Sequence, residues 1–320
     1  YHAETGSVVV MNPKTGEILA MTNYPSFDPN EPYRAPYARY RNRAVTDMYE
    51  PGSTMKAFSI ANALEIGGYT PKTTINTHPG ILNIDGNIVR DDGLDYGVIT
   101  VRQVLQKSSN VGVAKMTIHL PPEHLVGLLR RVGFGSRTDS GFPGESTGTL
   151  RNHRVWRPFV LATLAFGYGI AITPLQLAAA YSVIANNGLK CPVTFLKRKK
   201  IIICPRAMKE KVAHEMLKML TAVVQWGGTG HRAIVPGYHV AGKTGTAYIA
   251  GKHGYDEKHH VASFVGTAPV TNPRLVVAVV VRDPKGKTHF GGVIAAPAFS
   301  KIMGGSLRIL NVLPDNLPKT

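Results

Sequence analysis

Two kinds of side-chain grouping in this sequence could make and break an acyl bond: a serine paired with a lysine, and a lysine followed by hydroxyls. Of thirteen serines only Ser53 has a lysine three positions on, in Ser53-Thr54-Met55-Lys56. Residues i and i+3 of a helix are neighbours on one face. In a helix's first turn, free backbone N–H groups and the positive dipole end favour a developing oxyanion. A serine hydroxyl attacks poorly until a base takes its proton. Lysine serves as that base once burial or a nearby cation lowers its pKa. The plainer reading is a helix N-terminus with an exposed lysine one turn on.

Ser108-Ser109-Asn110 is the one S-x-N in the chain. A hydroxyl there could pass a proton between Lys56 and a leaving group, and the asparagine amide could hold a substrate amide. Serine and asparagine also favour polar turns and helix breaks. Lys243-Thr244-Gly245-Thr246 joins a cation to hydroxyls that suit a substrate carboxylate. Gly245 lets another backbone approach, and the N–H of Thr246 could complete an oxyanion hole. Its plainer reading is a strand with a glycine bulge. The tripeptide is weak evidence alone, since Lys14-Thr15-Gly16 repeats it in a turn after Pro13.

The elements that must position these groups follow from periodicity. Apolar runs at 7–11 and 18–24 flank Asn12-Pro13-Lys14-Thr15-Gly16, which predicts a hairpin. Residues 25–43, rich in Pro, Tyr and Arg, read as an ordered surface loop. Helical spacing runs through 55–64, just after Ser53, and again through 101–120, which contains Ser108 and Asn110. Between them, 70–100 holds short extended pieces. Further helices are expected near 122–132, 156–166 and 174–186, the last with Thr173 as N-cap and Pro174 at N1. Residues 193–203 read as extended, and 206–224 as an amphipathic helix opening at Pro205. Strands follow at 238–249, 261–267 and 275–282, then a helix at 294–310. Strands at both ends with a helical middle predict an α+β fold: one sheet completed by both termini, and a largely helical subdomain between.

Composition narrows the classes. The balance of 37 Lys+Arg against 20 Asp+Glu, +17, favours anionic neighbours. No zinc-finger spacing and no aromatic-glycine RNA-binding motif is present, so nucleic acid is not expected as a partner. Cys191 and Cys204 permit one bridge, and spacing does not say whether it forms. The uncharged run between Arg157 and Lys190 is long enough to span a bilayer, but its Gly, Thr, Pro and Gln split it into two buried helices. His214-Glu215 lacks the second histidine of H-E-x-x-H. His253, His259 and His260 read as loop or strand-edge histidines rather than ligands, and Lys197-Arg198-Lys199-Lys200 as a solvated basic edge.

S-x-x-K, S-x-N and K-T-G in this order are the signature of penicillin-binding proteins and class A β-lactamases. Glu50-Pro51-Gly52-Ser53-Thr54-Met55-Lys56 resembles the nucleophile segment of class B penicillin-binding proteins. Asn12 to Met21, Phe166-Gly167-Tyr168-Gly169 before Thr173-Pro174-Leu175-Gln176-Leu177, Gly227 to Gly230 and Val235 to Tyr238 match it too. Arg41 to Asp47 and Phe290-Gly291-Gly292 resemble the division-specific, penicillin-binding protein 3 type. The likeness covers essentially all 320 residues.

The resemblance implies a penicillin-binding, serine β-lactamase-like transpeptidase fold, with an antiparallel sheet flanked by helices. It implies a sheet subdomain from about 1–50 and 230–320 and a helical subdomain at about 51–229. Implied roles are Ser53 as nucleophile, Lys56 as base, Ser108 as proton relay and Asn110 as holder of the donor amide. Lys243, Thr244 and Thr246 would bind the terminal carboxylate beside Gly245, and the N–H groups of Ser53 and Thr246 would form the oxyanion hole. No metal or organic cofactor is implied. The implied partners are peptidoglycan stem peptides ending in D-Ala-D-Ala, β-lactams, a septal glycosyltransferase and other division proteins. The chain would be the periplasmic domain of an inner-membrane-anchored protein whose anchor and pedestal lie outside it. A class A β-lactamase needs an E-x-x-L-N element, and Leu82-Asn83 and Leu310-Asn311 have Pro79 and Leu307 where the glutamate belongs. A β-lactam sensor that acylates without building wall is the third reading.

Overall fold

Turn chemistry at Asn12 to Gly16 and a valine-rich run near the C-terminus set up one sheet from distant parts of the chain. A computed structural model describes residues 1–31, 33–200, 202–251 and 254–316. Its strands are β1 (Thr5–Met11), β2 (Ile18–Tyr24), the short β3 (Thr74–Asn76), β4 (Ile81–Ile84), β5 (Asn87–Arg90), β6 (Val98–Thr100), β7 (Thr149–Leu150) and β8 (Ile170–Ala171), then β9 (Ala241–Gly251), β10 (Gly254–Ala268) and β11 (Leu275–Arg282). Its helices are α1 (Arg43–Thr46), α2 (Lys56–Ile66), α3 (Val101–Lys107), α4 (Asn110–Thr117), α5 (Pro122–Val132), α6 (Pro158–Ala165), α7 (Pro174–Ala185), α8 (Glu210–Val224) and α9 (Gly291–Ile309).

The main sheet runs β2-β1-β11-β10-β9, antiparallel throughout, so both ends of the chain complete it. β11 lies at its centre and is buried from Leu275 to Val280. Val276, Ala278 and Val280 face the cluster that includes α7, while Leu275, Val277 and Val279 face Phe299 and Met303 of α9. A strand covered on both faces is a continuous apolar run rather than an alternating one. β9 is the edge strand, and its far side is where the helical segment meets the sheet.

Helix α2 is buried along Lys56 to Ala63, with Phe58 meeting Phe134 and Tyr181 edge-on at 5.3 and 5.4 Å. Thr173 caps α7 with a full capping box to Gln176 behind Pro174. The uncharged run 157–190 contains the separate helices α6 and α7, and no helix among the described residues is long and apolar enough to cross a membrane.

Several boundaries differ from expectation, each for a local reason. The single helix expected at 101–120 is two, because Ser108 takes a left-handed backbone (φ 62) and Ser109 caps a new helix. The helix expected from 206 starts at Glu210, since the N–H groups of Ala207 and Met208 bond to Gly188 O and bury those residues. Among the described residues, 193–203 makes one isolated bridge, Thr194 to Glu17, rather than a strand. That loop is closed by a Cys191–Cys204 disulfide, which spacing had left open. β10 begins at Gly254, seven residues earlier than expected, as the far arm of a long hairpin with β9. His253 lies outside the described residues.

Candidate active site

Ser53 sits in a 3-10 turn, Gly52–Met55, that runs directly into α2, so Lys56 opens the buried helix rather than facing solvent. The turn rests on β9. A Cβ at Gly245 would lie 2.3 Å from Ser263 Oγ, 2.9 Å from Thr54 Cγ2 and 3.0 Å from Pro51 O. Only a glycine lets strand and turn meet this closely. On the turn's other side Gly52 N–H donates to Gly167 O at 3.1 Å. Gly167 has φ +92, and a Cβ there would sit 2.1 Å from Gly52 O. The Phe166-to-Gly169 segment is therefore a backbone clamp on the Ser53 turn. Tyr181 O–H completes it by donating to Thr54 O at 2.8 Å.

Both lysines converge on one hydroxyl. Lys56 Nζ donates to Ser108 O and to Ser108 Oγ at 3.2 Å. Lys243 Nζ reaches the same Oγ at 2.9 Å, and Thr244 Oγ1 at 3.3 Å. Lys56 and Lys243 are each 0% exposed, so water does not solvate either ammonium. Burial drives the Lys56 pKa down to about 8, against the pull of Asp91 and Asp92. Burial, then the charge of Lys56, drives Lys243 well below the ordinary lysine range. Two buried cations on one hydroxyl repel, so the site favours a single proton shared between them.

The sharp backbone at Ser108 is held by a residue outside the three sequence groups. Asp91 is 3% exposed and accepts from Ser109 Oγ at 2.6 Å, from the N–H of Asn110, and from the N–H of Val111 at 2.9 Å. A carboxylate on the first N–H groups of α4 satisfies orphan donors and the helix dipole together. Asn110 Nδ2 donates to Arg90 O at 2.9 Å, which leaves its carbonyl oxygen and second N–H for a ligand. Thr229 Oγ1 bonds Thr244 Oγ1 at 2.8 Å, and Gly291 N–H donates to Thr246 Oγ1 at 3.1 Å. Glu50 Oε1 accepts from Gly169 N–H at 2.7 Å and Tyr255 O–H at 3.1 Å, joining the hairpin tip to the lead-in of the nucleophile turn.

Ser53, Ser108, Asn110, Thr244 and Thr246 line one cleft of about 530 Å³, walled by Tyr168, Tyr248, His260, His289 and Phe290. Lys56 and Lys243 lie beneath it through Ser108, and Gly245, between the lining residues Thr244 and Thr246, packs on the Ser53 turn. All eight residues singled out from sequence thus meet at one place. Asp91 and Tyr181 have no signal in the sequence, since each acts across a loop or a helix interface; Glu50 and Thr229 fall in segments that match the family, but nothing there singles out their own contacts. By contrast, His214 bonds Asn187 at 3.0 Å, far from this cleft in the fold's architecture.

A family model for the penicillin binding protein transpeptidase domain matches residues 6–304. The chain belongs to that family. It is 45% identical over 317 residues, 98% of the chain and 54% of the relative, to the probable peptidoglycan D,D-transpeptidase PenA of Neisseria meningitidis. It is 39% identical over 315 residues to the peptidoglycan D,D-transpeptidase FtsI of Escherichia coli, covering 98% of the chain and 53% of that protein. The apo transpeptidase domain of Burkholderia pseudomallei penicillin-binding protein 3 superposes with a TM-score of 0.90 at 42% identity, over 99% of this chain and 91% of that one. The chain spans about half the length of most curated relatives named here. The penicillin-binding fold, with its antiparallel sheet flanked by helices, is the fold expected from sequence. The class A β-lactamase alternative finds no support in these relatives.

Proposed function

We propose that the chain is the acyl-transfer domain of a peptidoglycan D,D-transpeptidase of septal wall synthesis. The observation that carries this reading is the convergence of Lys56 and Lys243 on Ser108 Oγ beside Ser53, at the open edge of β9. A donor stem peptide lies along β9, whose outer backbone groups have no strand partner among the described residues. Its terminal carboxylate meets Lys243, Thr244 and Thr246, and Asn110 holds its amide. The carboxylate stabilises the charge on Lys243, which pushes the shared proton off Lys56. Lys56 then takes the proton of Ser53 Oγ as that oxygen attacks the penultimate D-Ala carbonyl. The N–H groups of Ser53 and Thr246 receive the oxyanion; one such donor is worth roughly 10²–10³ in rate. Ser108 passes the proton to the leaving D-Ala nitrogen as the C–N bond breaks. An amine of a neighbouring stem then attacks the ester, forms the cross-link and releases Ser53 with its proton restored.

On this reading β-lactams acylate Ser53, and the adduct persists because no glutamate among the described residues lines the cleft to activate water. The same reading makes 1–50 with 230–320 the sheet half and 51–229 the helical half. It makes the whole protein an inner-membrane-anchored, periplasmic enzyme working with a septal glycosyltransferase and other division proteins. Relatives among D,D-transpeptidases support it. The test is intact-mass analysis after incubation with a β-lactam. One stable adduct is expected, and none on Ser53→Ala. An adduct on the variant at the wild-type rate removes Ser53 from its role, and turnover within seconds overturns the transpeptidase reading.

A further inference from the structure

The cleft has a wall that the acyl-transfer chemistry does not use. His260, on β10 opposite Tyr248 of β9, is 8% exposed. Its ring stacks on that of His289, centroids 3.9 Å apart and planes 9° from parallel. His289 lies two residues before Gly291, whose N–H donates to Thr246 Oγ1, so the stack is tied to the strand that carries the substrate hydroxyls. Both rings line the same cleft as Ser53. Most large apolar walls are built from phenyl or indole rings, which stay neutral at every pH. Two imidazoles face to face behave differently: each can take a proton, but two cations at this separation repel, so the pair takes one.

We propose that the His260–His289 wall is a second anion-binding position of the cleft, taking a ligand carboxylate distinct from the one at Lys243 and Thr244 when the pair holds a proton. This rests on the acyl-transfer reading and deepens it, because it names which substrates the cleft prefers. The surroundings support an anion. Lys107, His231 and Arg232 line the same cleft, and Asp92 is the one carboxylate lining it among the described residues.

The groups facing the stack set its resting state. Asp283 donates its N–H to His260 O at 2.7 Å, but its carboxylate is engaged by His259 at 2.8 Å and by Lys285. Tyr248 and Phe290 offer rings, at 5.0 Å from His260 and 4.6 Å from His289. Burial, then His289 and more weakly His259, hold His260 below the usual imidazole range, against the backbone hydrogen bond at Lys258 and the charge of Asp283. His260 is therefore held toward its neutral form, and acidification is what charges it. Proton and carboxylate then bind with mutual reinforcement, as linkage requires.

The test uses two penicillins with one scaffold: benzylpenicillin, and its analogue with an α-carboxylate on the side chain. The second-order rate of Ser53 acylation is measured for each from pH 8 to pH 5.5. Titration of Lys56 affects both ligands and cancels in their ratio. The ratio of carboxylated to plain ligand is expected to rise at least about fivefold toward pH 5.5, and to be flat in His289→Gln and in His260→Gln. His289 is in a loop, so that variant stands if the strand variant fails to fold. A flat ratio in the wild type, or a rise preserved in both variants, overturns the proposal. Failure of both penicillins to label Ser53 at any pH overturns the acyl-transfer reading itself, and this one with it.

Discussion

The chain contains the tripeptide Lys-Thr-Gly twice, and the two copies have nothing in common but their letters. Lys14-Thr15-Gly16 turns the β1–β2 hairpin. Lys14 is exposed and reaches Asn272, and Thr15 Oγ1 donates to Glu17 at 2.8 Å. Gly16 has φ +72 and packs where a Cβ would be 2.1 Å from Pro192 O. Lys243-Thr244-Gly245 lies on the edge strand β9, its lysine fully buried against Lys56 and Ser108. Identical residues serve a turn in one place and lie at the proposed reaction site in the other. Burial decides the difference, since a solvated ammonium keeps its proton and its freedom, while a desolvated one is tuned by its neighbours.

The glycines give the largest contrast. Gly245→Ala should push the nucleophile turn off β9 and lower β-lactam labelling by at least about 100-fold, or ~2.7 kcal/mol in barrier. Gly16→Ala should instead destabilise the fold by about 2 kcal/mol or more through strain, while folded protein labels at the wild-type rate. Denaturant melts and labelling rates on both variants check this. If Gly16→Ala slows labelling as much as Gly245→Ala, the two copies are not separable in this way.

The lysines come next. Lys243→Ala should slow acylation by at least about tenfold, ~1.4 kcal/mol, and Lys14→Ala should leave rate and stability within about 0.5 kcal/mol of wild type. The Lys243 loss should shrink for a ligand that lacks the carboxylate. Equal losses with both ligands would make Lys243 a support for the strand and not a substrate contact.

The smallest effect concerns pH. Lys56 acts as a base only when neutral, and its pKa is lowered to about 8. The neutral fraction falls as pH drops below that value, so the second-order acylation rate should fall about fivefold from pH 8 to pH 7. A rate flat across that interval would place the reactive proton elsewhere, with Lys56 a fixed charge.

Much of the architecture was legible because the signals were local. Asn12 to Gly16 marked the hairpin, the valine run marked the central strand, and Thr173-Pro174 marked the start of α7. The three residue groups that meet at the cleft were legible through spacing and order. What escaped was set by distant contacts. The break at Ser108 depends on Asp91, a buried carboxylate 17 positions earlier that accepts from the first N–H groups of α4. The late start of α8 depends on Gly188 O, which takes the N–H groups that would have opened the helix. The role of Glu50 depends on Tyr255, 205 residues on. Periodicity reports which face of an element is apolar, and it carries no information about which loop crosses over it.

Thiols stay reduced where glutathione and thioredoxin operate, and pair where those reductants are absent. The Cys191–Cys204 bond accordingly suits the periplasmic setting proposed above for this domain. Chain made in a reducing cytosol would carry the same residues with an unclosed loop. Arg198 would still bond Thr15 O at 3.0 Å and Pro192 O at 3.0 Å. Lys199 and Lys200, exposed beyond it, would gain the conformational freedom that closure removes. Where the protein is made, as well as what it is made of, thus sets how this basic face meets its surroundings.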